Sequence, residues 1–289
     1  MFAHLSMQRS LRLMSGPAAS LALAVLALVI GACSDSTVTR IGNPGPDSLP
    51  DLFVDSAALD SSLLVDVETF PPGDCSAVEG NFPPGTYRVL RFTAVMANMG
   101  TVPAYMGDPL AHMDPNGDGD TTDTDHLYEW APCHQHWHLR RFATYELLPV
   151  MGPDSFGPPI RGRKAGFCLA DDRPLLGTDP ATRKYRNCGG LREHGNQGIS
   201  PGWSDVYSRS IDGQFFLLGD SASPVLPGQY LIRIVVNAPY IRLGATDPCP
   251  VIDDAGNCRL FKESDYANDT VAVPVTITAT SVRVARRWR

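Results

Sequence analysis

Beyond residue 32, the apolar residues of this chain come in short runs in which Val, Thr and Tyr recur, with Gly and Pro between the runs. No long stretch there has the 3.6-residue period of an amphipathic helix. β-Branched and aromatic residues favour strands, and Gly and Pro favour turns, so the pattern predicts many short strands. The clearest predicted strands are 86–96, 138–148, 215–218, 230–237 and 270–278.

These strands are expected to form one mostly-β domain with little helix, from about residue 51 to residue 277. A β-sandwich buries the apolar faces of two sheets, and long loops then carry the functional residues. The predicted boundaries are a lipoprotein signal peptide at 1–32, a polar tether at 33–49, a β domain at 50–280 and a basic C-terminal tail at 281–289.

The N-terminal segment predicts export. Two arginines precede an uncharged segment whose apolar core, 21–30, is shorter than the roughly 20 residues of a membrane span. The core ends in Gly31-Ala32-Cys33, which resembles a bacterial lipobox, and Ser34 rather than Asp follows. We expect a lipid on Cys33 that anchors the exported protein to the cell envelope, at a bacterial outer membrane. An extracellular location is the other expectation for an exported chain. The alternative is an ordinary signal with an incidental cysteine.

The net charge of the chain limits the classes of partner that we expect it to bind. With 24 basic and 31 acidic residues the formal net charge is −7. Nucleic acid is not an expected partner of so acidic a chain, whereas metal ions and cationic amines suit it. The one basic run, at 283–289, is interpreted as a solvated tail.

The cysteine count predicts disulfides. Seven cysteines are present, and setting Cys33 aside leaves an even number for an exported protein. Cys249–Cys258 closes a short loop that contains Pro and Gly. For the other four, Cys168–Cys188 with Cys75–Cys133 is favoured, and Cys133–Cys188 with Cys75–Cys168 is the alternative.

Three histidines alternate with other residues at His134, His136 and His138. If this segment is a strand, all three side chains lie on one face, with neighbouring Cβ atoms roughly 6–7 Å apart. Imidazoles at that spacing can converge on one copper or zinc ion and leave a position open for water or substrate. The spacing does not distinguish copper from zinc.

This segment, Cys133-His-Gln-His-Trp-His138 continuing to Tyr145-Glu-Leu147, resembles the copper-binding stretch of the lysyl oxidase family. Further motifs match that family in the same order, from about residue 51 to residue 277. They are Leu-Arg-Phe at 90–92 with Asn-Met-Gly at 98–100, Arg-Lys-Ala-Gly-Phe-Cys-Leu at 163–169, Gly-Ile-Ser-Pro-Gly-Trp-Ser-Asp-Val-Tyr at 198–207, Pro-Gly-Gln-Tyr at 227–230, Val-Asn-Ala-Pro-Tyr at 236–240 and Glu-Ser-Asp-Tyr-Ala-Asn-Asp at 263–269. The stretches 169–187 and 241–262 depart from the family pattern, and Ala131-Pro132 stands where animal members carry a histidine.

The resemblance implies a copper amine oxidase of the protein-lysine 6-oxidase type. Tyr207 would be oxidised to a quinone and captured by the Lys164 amine, giving lysine tyrosylquinone. Such a cofactor supplies the electrophilic carbonyl and two-electron sink that ordinary side chains lack. The expected reaction converts a primary amine, or a lysyl side chain of a protein, to an aldehyde with molecular oxygen and releases peroxide and ammonia. Neither residue would be selected from the sequence pattern alone.

An acidic segment predicts a calcium site. Residues 114–125 fit a twelve-position calcium loop, with Gly119 at position 6 for the sharp turn. The ligand positions 1, 3, 5, 7 and 12 hold Asp114, Asn116, Asp118, Asp120 and Asp125. The alternative is an acidic surface loop.

The family resemblance implies a second calcium site, which would tie the start of the domain to its last strand. Its expected ligands are Asp51, the carbonyl of Leu52, Glu263, Asp265, Asn268 and Asp269. The alternative is a turn rich in acidic residues.

Two other functions compete with the oxidase. A non-enzymatic surface lipoprotein for copper storage or adhesion would not need Lys164 and Tyr207. A zinc hydrolase would need a Glu beside the three histidines, and their segment has none. For the oxidase itself the general base is open: Asp205 is one candidate, and a turn or strand-end role is the alternative for it.

Overall fold

The computed structural model describes residues 48–122, 124–219, 225–242, 244 and 247–285. The strands of the first half are β1 Leu52–Val54, β2 Leu64–Phe70, β3 Gly85–Arg91, β4 Ala94–Asn98, β5 Ala104–Gly107, β6 Tyr128–Ala131, β7 His136–Arg140, β8 Ala143–Gly152, β9 Ser155–Phe156 and β10 Ile160–Arg161. Those of the second half are β11 Gly166–Phe167, β12 Arg173–Pro174, β13 Gln197–Ile199, β14 Trp203–Tyr207, β15 Phe215–Leu217, β16 Gly228–Val236, β17 Val251–Ile252, β18 Cys258–Arg259, β19 Thr270–Ile277 and β20 Val282–Val284.

Helix is minor, as predicted. The helices of the described residues are α1 Ser56–Ser62, α2 Cys75–Glu79 and α3 Pro109–Met113, with a 3₁₀ turn at Pro180–Thr182. Each is short and begins at an aspartate whose carboxylate accepts hydrogen bonds from the first backbone amides. None of these helices is long and apolar enough to cross a membrane.

The described strands pair antiparallel in several sheets. The largest sheet has the order β10-β8-β16-β19-β20, with β9 beside β8, and a second has the order β1-β4-β14-β12. Three-stranded sheets β11-β7-β6 and β15-β3-β2, and the pairs β13-β5 and β17-β18, complete the domain. The predicted mostly-β fold with little helix is confirmed.

The core lies between the two larger sheets. On β16 every second residue from Tyr230 to Val236 is buried, and the residues between are more exposed. Alternation of that kind is what a sheet with one covered face requires. Met96 of β4 and Ile232 of β16 belong to one buried apolar cluster. Phe92, between β3 and β4, packs edge-on against Tyr145 of β8, with ring centroids 5.0 Å apart.

Two of the strands predicted from the sequence are each divided into two strands in the structure. The 86–96 stretch divides between β3 and β4, which belong to different sheets. The 138–148 stretch divides at Arg141, whose φ of +65° cannot continue a strand. This break moves the chain from the small sheet that carries the histidines to the largest sheet.

The ends of the domain differ from the prediction in one respect. Val282–Val284, assigned to a solvated tail, form β20 and pair with β19 at the edge of the largest sheet. The predicted signal peptide, the lipid site at Cys33 and nearly all of the tether lie outside the described residues.

Candidate metal and cofactor site

The three histidines converge although only two of them lie on a strand. His136 and His138 stand on β7, and His134 lies in the turn before it. Gln135 has a φ of +57°, so the alternation predicted from the sequence stops there. The turn nevertheless brings a nitrogen of His134 to 3.2 Å from Nε2 of His138, which lies 3.1 Å from Nε2 of His136.

This donor set fits a copper or zinc ion. One nitrogen from each ring lies within 4.8 Å of the others, which is the spacing of ligands around a single ion. Burial lowers the pKa of His138 to about 2, so its imidazole is neutral, as a metal ligand must be. Burial also lowers the pKa of His136, with the charge of His134 as a second cause.

Two carboxylates beside the histidines were not found by the sequence analysis. Glu79 Oε1 lies 3.3 Å from Nδ1 of His134, and Asp212 Oδ2 lies 3.2 Å from its Nε2. Burial raises the pKa of Glu79, although the nearby charges of His134 and Lys164 oppose the shift. Carboxylates that contact metal-binding imidazoles fix the orientation of the rings.

A disulfide explains why Glu79 lies beside His134. The structure contains Cys75–Cys133, Cys168–Cys188 and Cys249–Cys258, the pairing favoured from the sequence. Cys133 immediately precedes His134, and its partner Cys75 begins α2, which ends at Glu79. The signal that could have identified Glu79 is therefore its i, i+4 relation to the cysteine bonded next to the histidine segment.

Strand pairing brings Lys164 to the histidines. β11 follows Lys164 by two residues and pairs with β7, placing Gly166 opposite Arg140. Glycine is required at 166, because a Cβ there would lie 2.3 Å from Nδ1 of His138. Burial lowers the pKa of Lys164, which favours the neutral, nucleophilic amine, although Glu79, Asp205 and Asp212 oppose the shift.

Lys164 and Tyr207 face each other in the same pocket. The Lys164 ammonium nitrogen, Nζ, lies 5.7 Å from the centroid of the Tyr207 ring. The Tyr207 hydroxyl donates to Asp205 Oδ2 at 2.6 Å and lies 3.2 Å from the carbonyl oxygen of Cys168. The ring packs edge-on against Phe167, with centroids 5.1 Å apart, which fixes its plane.

Asp205 is a buried carboxyl rather than a strand-end residue exposed to solvent. It is 2% exposed and lies two positions before Tyr207 on β14, so both side chains point to the same side of the strand. Burial raises the pKa of Asp205 well above its usual range, and the neighbouring carboxylate of Asp172 raises it further. Asp172 also accepts a hydrogen bond from the Val206 amide at 3.0 Å.

These groups share one pocket of about 500 Å³. Its lining includes the three histidines, Lys164 and Tyr207, the carboxylates Asp172, Asp205 and Asp212, and two arginines, Arg183 and Arg186. Metal donors, a buried amine, a phenol and a buried carboxylate therefore meet at one cavity.

The predicted calcium loop folds around its first residue. Asp114 accepts hydrogen bonds from the amides of Gly117 and Gly119 at 2.8 and 2.9 Å, and Gly119 has the positive φ that position 6 needs. Asn116, Asp118 and Asp120 follow in the same exposed loop, where Asp118 accepts from the Asp120 amide at 2.8 Å. Asp125 instead lies 2.6 Å from Nδ1 of His112, so position 12 is engaged outside the loop. Calcium binding here stays a prediction.

The second predicted calcium site draws both ends of the domain together. Asn268 donates to Asp51 at 2.8 Å, and the Leu52 amide donates to Glu263. Burial raises the pKa of Glu263 to about 8 and that of Asp269 to about 9. Asp269 also lies 3.1 Å from Arg259, and Asp265 accepts from the Ala267 amide at 2.8 Å. Calcium at this cluster is likewise a prediction.

The structure is that of a mostly-β protein in which three histidines with metal-ligand spacing lie beside a lysine–tyrosine pair. The chain belongs to the lysyl oxidase family. The family's sequence model matches residues 74–247. Protein-lysine 6-oxidase from Gallus gallus is 28% identical over 241 residues, covering 80% of this chain and 46% of the relative. Its Homo sapiens counterpart is 27% identical over the same shares. Lysyl oxidase homolog 1 from Homo sapiens is 36% identical over 120 residues, 41% of this chain and 18% of the relative. The aligned region thus spans about half the length of the two protein-lysine 6-oxidases.

Proposed function

We propose that this protein is a copper-dependent amine oxidase, which converts primary amines, including peptidyl lysine, to aldehydes. The balanced reaction takes an amine, oxygen and water to an aldehyde, ammonia and hydrogen peroxide. The observation that carries the proposal is the position of Lys164 over the Tyr207 ring, in the same pocket as the three histidines. Copper storage would need the histidines alone.

The residues of the pocket have separate roles in this proposal. His134, His136 and His138 would hold copper, and Glu79 and Asp212 would orient the rings. A copper ion and a quinone formed from Lys164 and Tyr207 would supply, when present, the oxidising power and electrophilic carbonyl that the side chains lack.

Proton transfer is the task of this chain's own groups. Asp205 is in position to accept the phenol proton of Tyr207, because the two oxygens already share a short hydrogen bond. A Lys164 amine with a lowered pKa is neutral at a lower pH than an exposed lysine, so its lone pair is available for bond formation. The Tyr207 ring packs against Phe167 and the residue is 5% exposed, so little of it contacts water.

The structure supplies a matched control for the cofactor pair. Lys184 lies 5.0 Å from the centroid of the Tyr185 ring, an arrangement like that of Lys164 and Tyr207. Neither residue of this second pair lines the histidine pocket. Proximity of lysine and tyrosine alone therefore predicts two crosslinks, whereas metal-driven chemistry predicts one.

The test is mass spectrometry of a digest after copper loading in air, with a peroxide assay on primary amines. We expect one branched peptide joining the Lys164 and Tyr207 segments, together with peroxide release. Lys164→Ala or Tyr207→Phe should abolish both and leave copper bound, whereas Lys184→Ala should change neither. Unmodified Lys164 and Tyr207 peptides from copper-loaded protein, with no peroxide from any amine, would instead favour the storage or adhesion function.

Zinc loading separates the oxidase from a hydrolase. The sequence segment of the histidines has no Glu, but the fold supplies Glu79 next to His134, so a hydrolytic base is sterically possible. Zinc does not change its oxidation state in proteins and cannot oxidise a phenol. We expect zinc-loaded protein to bind one ion at the histidines and to form neither the branched peptide nor peroxide.

Two further proposals concern location and calcium. A lipid on Cys33 would hold the exported enzyme at the cell envelope. Cys33→Ser should then yield soluble protein or an uncleaved precursor, and unchanged fractionation and migration would reject the anchor.

Calcium at the 114–125 loop and at the cluster of Asp51 and Glu263 would stabilise the domain rather than take part in the reaction.

A further inference from the structure

Two arginines share the pocket with the amine-oxidising groups. Arg183 and Arg186 line the same cavity as Lys164 and Tyr207. The other charged groups of that lining, apart from Lys164 and the histidines, are the carboxylates Asp172, Asp205 and Asp212. The cavity therefore offers carboxylates that attract an ammonium group and guanidinium groups that attract an anion.

The segment that carries these arginines is fixed at both ends. Asp171 is fully buried and accepts hydrogen bonds from the amides of Lys184 and Tyr185 at 2.7 and 3.0 Å. At the other end Cys188 is bonded to Cys168, whose carbonyl oxygen lies 3.2 Å from the Tyr207 hydroxyl. The disulfide therefore connects the arginine segment to Cys168, whose carbonyl oxygen accepts a hydrogen bond from the Tyr207 hydroxyl.

The two guanidinium groups are not equivalent. Arg183 lies 4.0 Å from Asp172 and donates to the carbonyl of Asp171, so its charge is partly satisfied. Arg186 is exposed and donates to the carbonyl of Arg183 at 3.4 Å. Among the described residues no carboxylate lies within salt-bridge distance of Arg186. A guanidinium has five N–H donors in a planar fork, so Arg186 retains donors for a bidentate carboxylate.

We propose that Arg186, supported by Arg183, is a carboxylate subsite that selects amines bearing a carboxylate near the reacting nitrogen. The ammonium end of such a substrate meets the acidic side of the pocket, and its carboxylate meets Arg186. Free ω-amino acids and lysyl side chains beside an acidic residue in a peptide share this chemistry. Both arginines lie in the 169–187 stretch, which the sequence comparison above sets apart from the family motifs. The inference rests on the proposed amine oxidase function for its biological meaning.

The first test measures binding without turnover. In Tyr207→Phe protein, which cannot form the cofactor, we expect 6-aminohexanoate to bind about fivefold more tightly than hexylamine, the size of effect typical of an exposed ion pair. Arg186→Gln should remove this preference, and Arg186→Glu should reverse it. Arg192 is exposed, lies outside the pocket lining and provides the control: Arg192→Glu should leave the preference unchanged.

A second arm distinguishes the two sources of the carboxylate. Acetyl-Glu-Lys-Glu amide is compared with acetyl-Gln-Lys-Gln amide in the same variants, at low and high salt. The subsite serves whichever substrate class, free ω-amino acids or acidic peptides, loses more affinity when Arg186 is replaced. The preference for the carboxylate-bearing ligand should weaken at high salt, because salt screens the contact. In active wild-type protein the same ratio should appear in KM with little change in kcat, because the contact is equal in ground and transition states.

The outcomes separate the subsite from the proposed function. Equal binding of the members with and without a carboxylate in both pairs, unaltered in Arg186→Glu, overturns the carboxylate subsite even if amines are oxidised. An Arg186-dependent preference in binding, with no amine oxidised by copper-loaded wild type, supports the subsite and overturns the oxidase.

Discussion

Tyr207 donates its phenol hydrogen to a carboxylate on its own strand, Asp205, at 2.6 Å. Both are buried, and the nearby carboxylate of Asp172 adds to the effect of burial in raising the pKa of Asp205. Oxidation of a phenol requires loss of its proton, and Asp205 is the group that already accepts the hydrogen bond of this phenol. In the proposed oxidase Asp205 would therefore be the proton acceptor for cofactor formation. From the sequence it was one candidate for the general base, with a turn or strand-end role as the alternative.

Asp205→Asn should slow formation of the Lys164–Tyr207 crosslink while leaving copper bound. An amide cannot accept the phenol proton to become a neutral acid, and loss of a general base costs on the order of 100-fold or more. The rate is measured as branched peptide against time after copper addition. Asp179→Asn, at the exposed cap of the 3₁₀ turn, is the control and should crosslink at the wild-type rate. A wild-type rate in Asp205→Asn would assign the proton to another acceptor.

Replacing any one of the three histidines with Ala should lower bound copper well below one per chain. The loss should be measurable by metal analysis after dialysis. His194→Ala is a control, because its exposed side chain contacts Asp108 away from the pocket. If the triple variant of His134, His136 and His138 keeps full copper, the site is wrong.

Asp212 tests a second arrangement of ligands. Asp212 and Cys75 also lie within ligand spacing of His134, but Cys75 is disulfide-bonded and cannot offer a thiolate. We therefore expect Asp212→Asn to keep its copper and to lose at most some affinity, as expected of a group that orients a ligand. A loss of copper as complete as that of His136→Ala would make Asp212 a ligand.

Crosslink formation should depend on pH through Lys164. A lowered amine pKa means that the neutral nucleophile is present at lower pH than for an exposed lysine, whose pKa is about 10.4. The yield of branched peptide at a fixed time should therefore rise with pH and level off below that value. Glu79→Gln removes a carboxylate that favours the ammonium form, so its curve should shift to lower pH. A midpoint at or above the ordinary lysine value would contradict a desolvated Lys164.

Calcium removal should lower the melting temperature if either acid-rich site binds the ion. A ligand present at 100 times its Kd stabilises a native state by about 2.7 kcal/mol, or several degrees for a domain of this size. Copper must be held constant, because chelators remove both ions. Asp118→Asn and Asp265→Asn identify which site responds. A melting temperature that calcium does not change, with copper constant, would count against both sites.

The sequence predicted parts of this site for different reasons. The histidines were found because three imidazoles in five residues have no ordinary structural role, although His134 reaches the others through a turn at Gln135 rather than along a strand. Lys164 and Tyr207 were accessible only through the family resemblance, because isolated lysines and tyrosines are common in strands and on surfaces. Glu79 and Asp212 were missed, since their approach to His134 depends on a disulfide and on loop packing.

The fold was predictable where burial is one-sided. β16 and β19 alternate cleanly, and their bounds were found within about two residues. The breaks at Phe92 and Arg141 were not predicted. A segment that passes from one sheet to another keeps its apolar residues, and only the direction of its backbone changes. The edge strand β20 was missed for the opposite reason, as its basic composition suggests solvent.

The close approach of Gly166 to the His138 ring has a consequence for anyone who alters this protein. The backbone of the lysine segment packs directly against the His138 ring, with no room for even a methyl group. The histidine strand and the lysine segment are therefore packed as one unit, although 26 positions separate His138 from Lys164. Grafting, shuffling or library design should transfer β7 and the 163–169 segment together, because each packs against the other at Gly166 and His138.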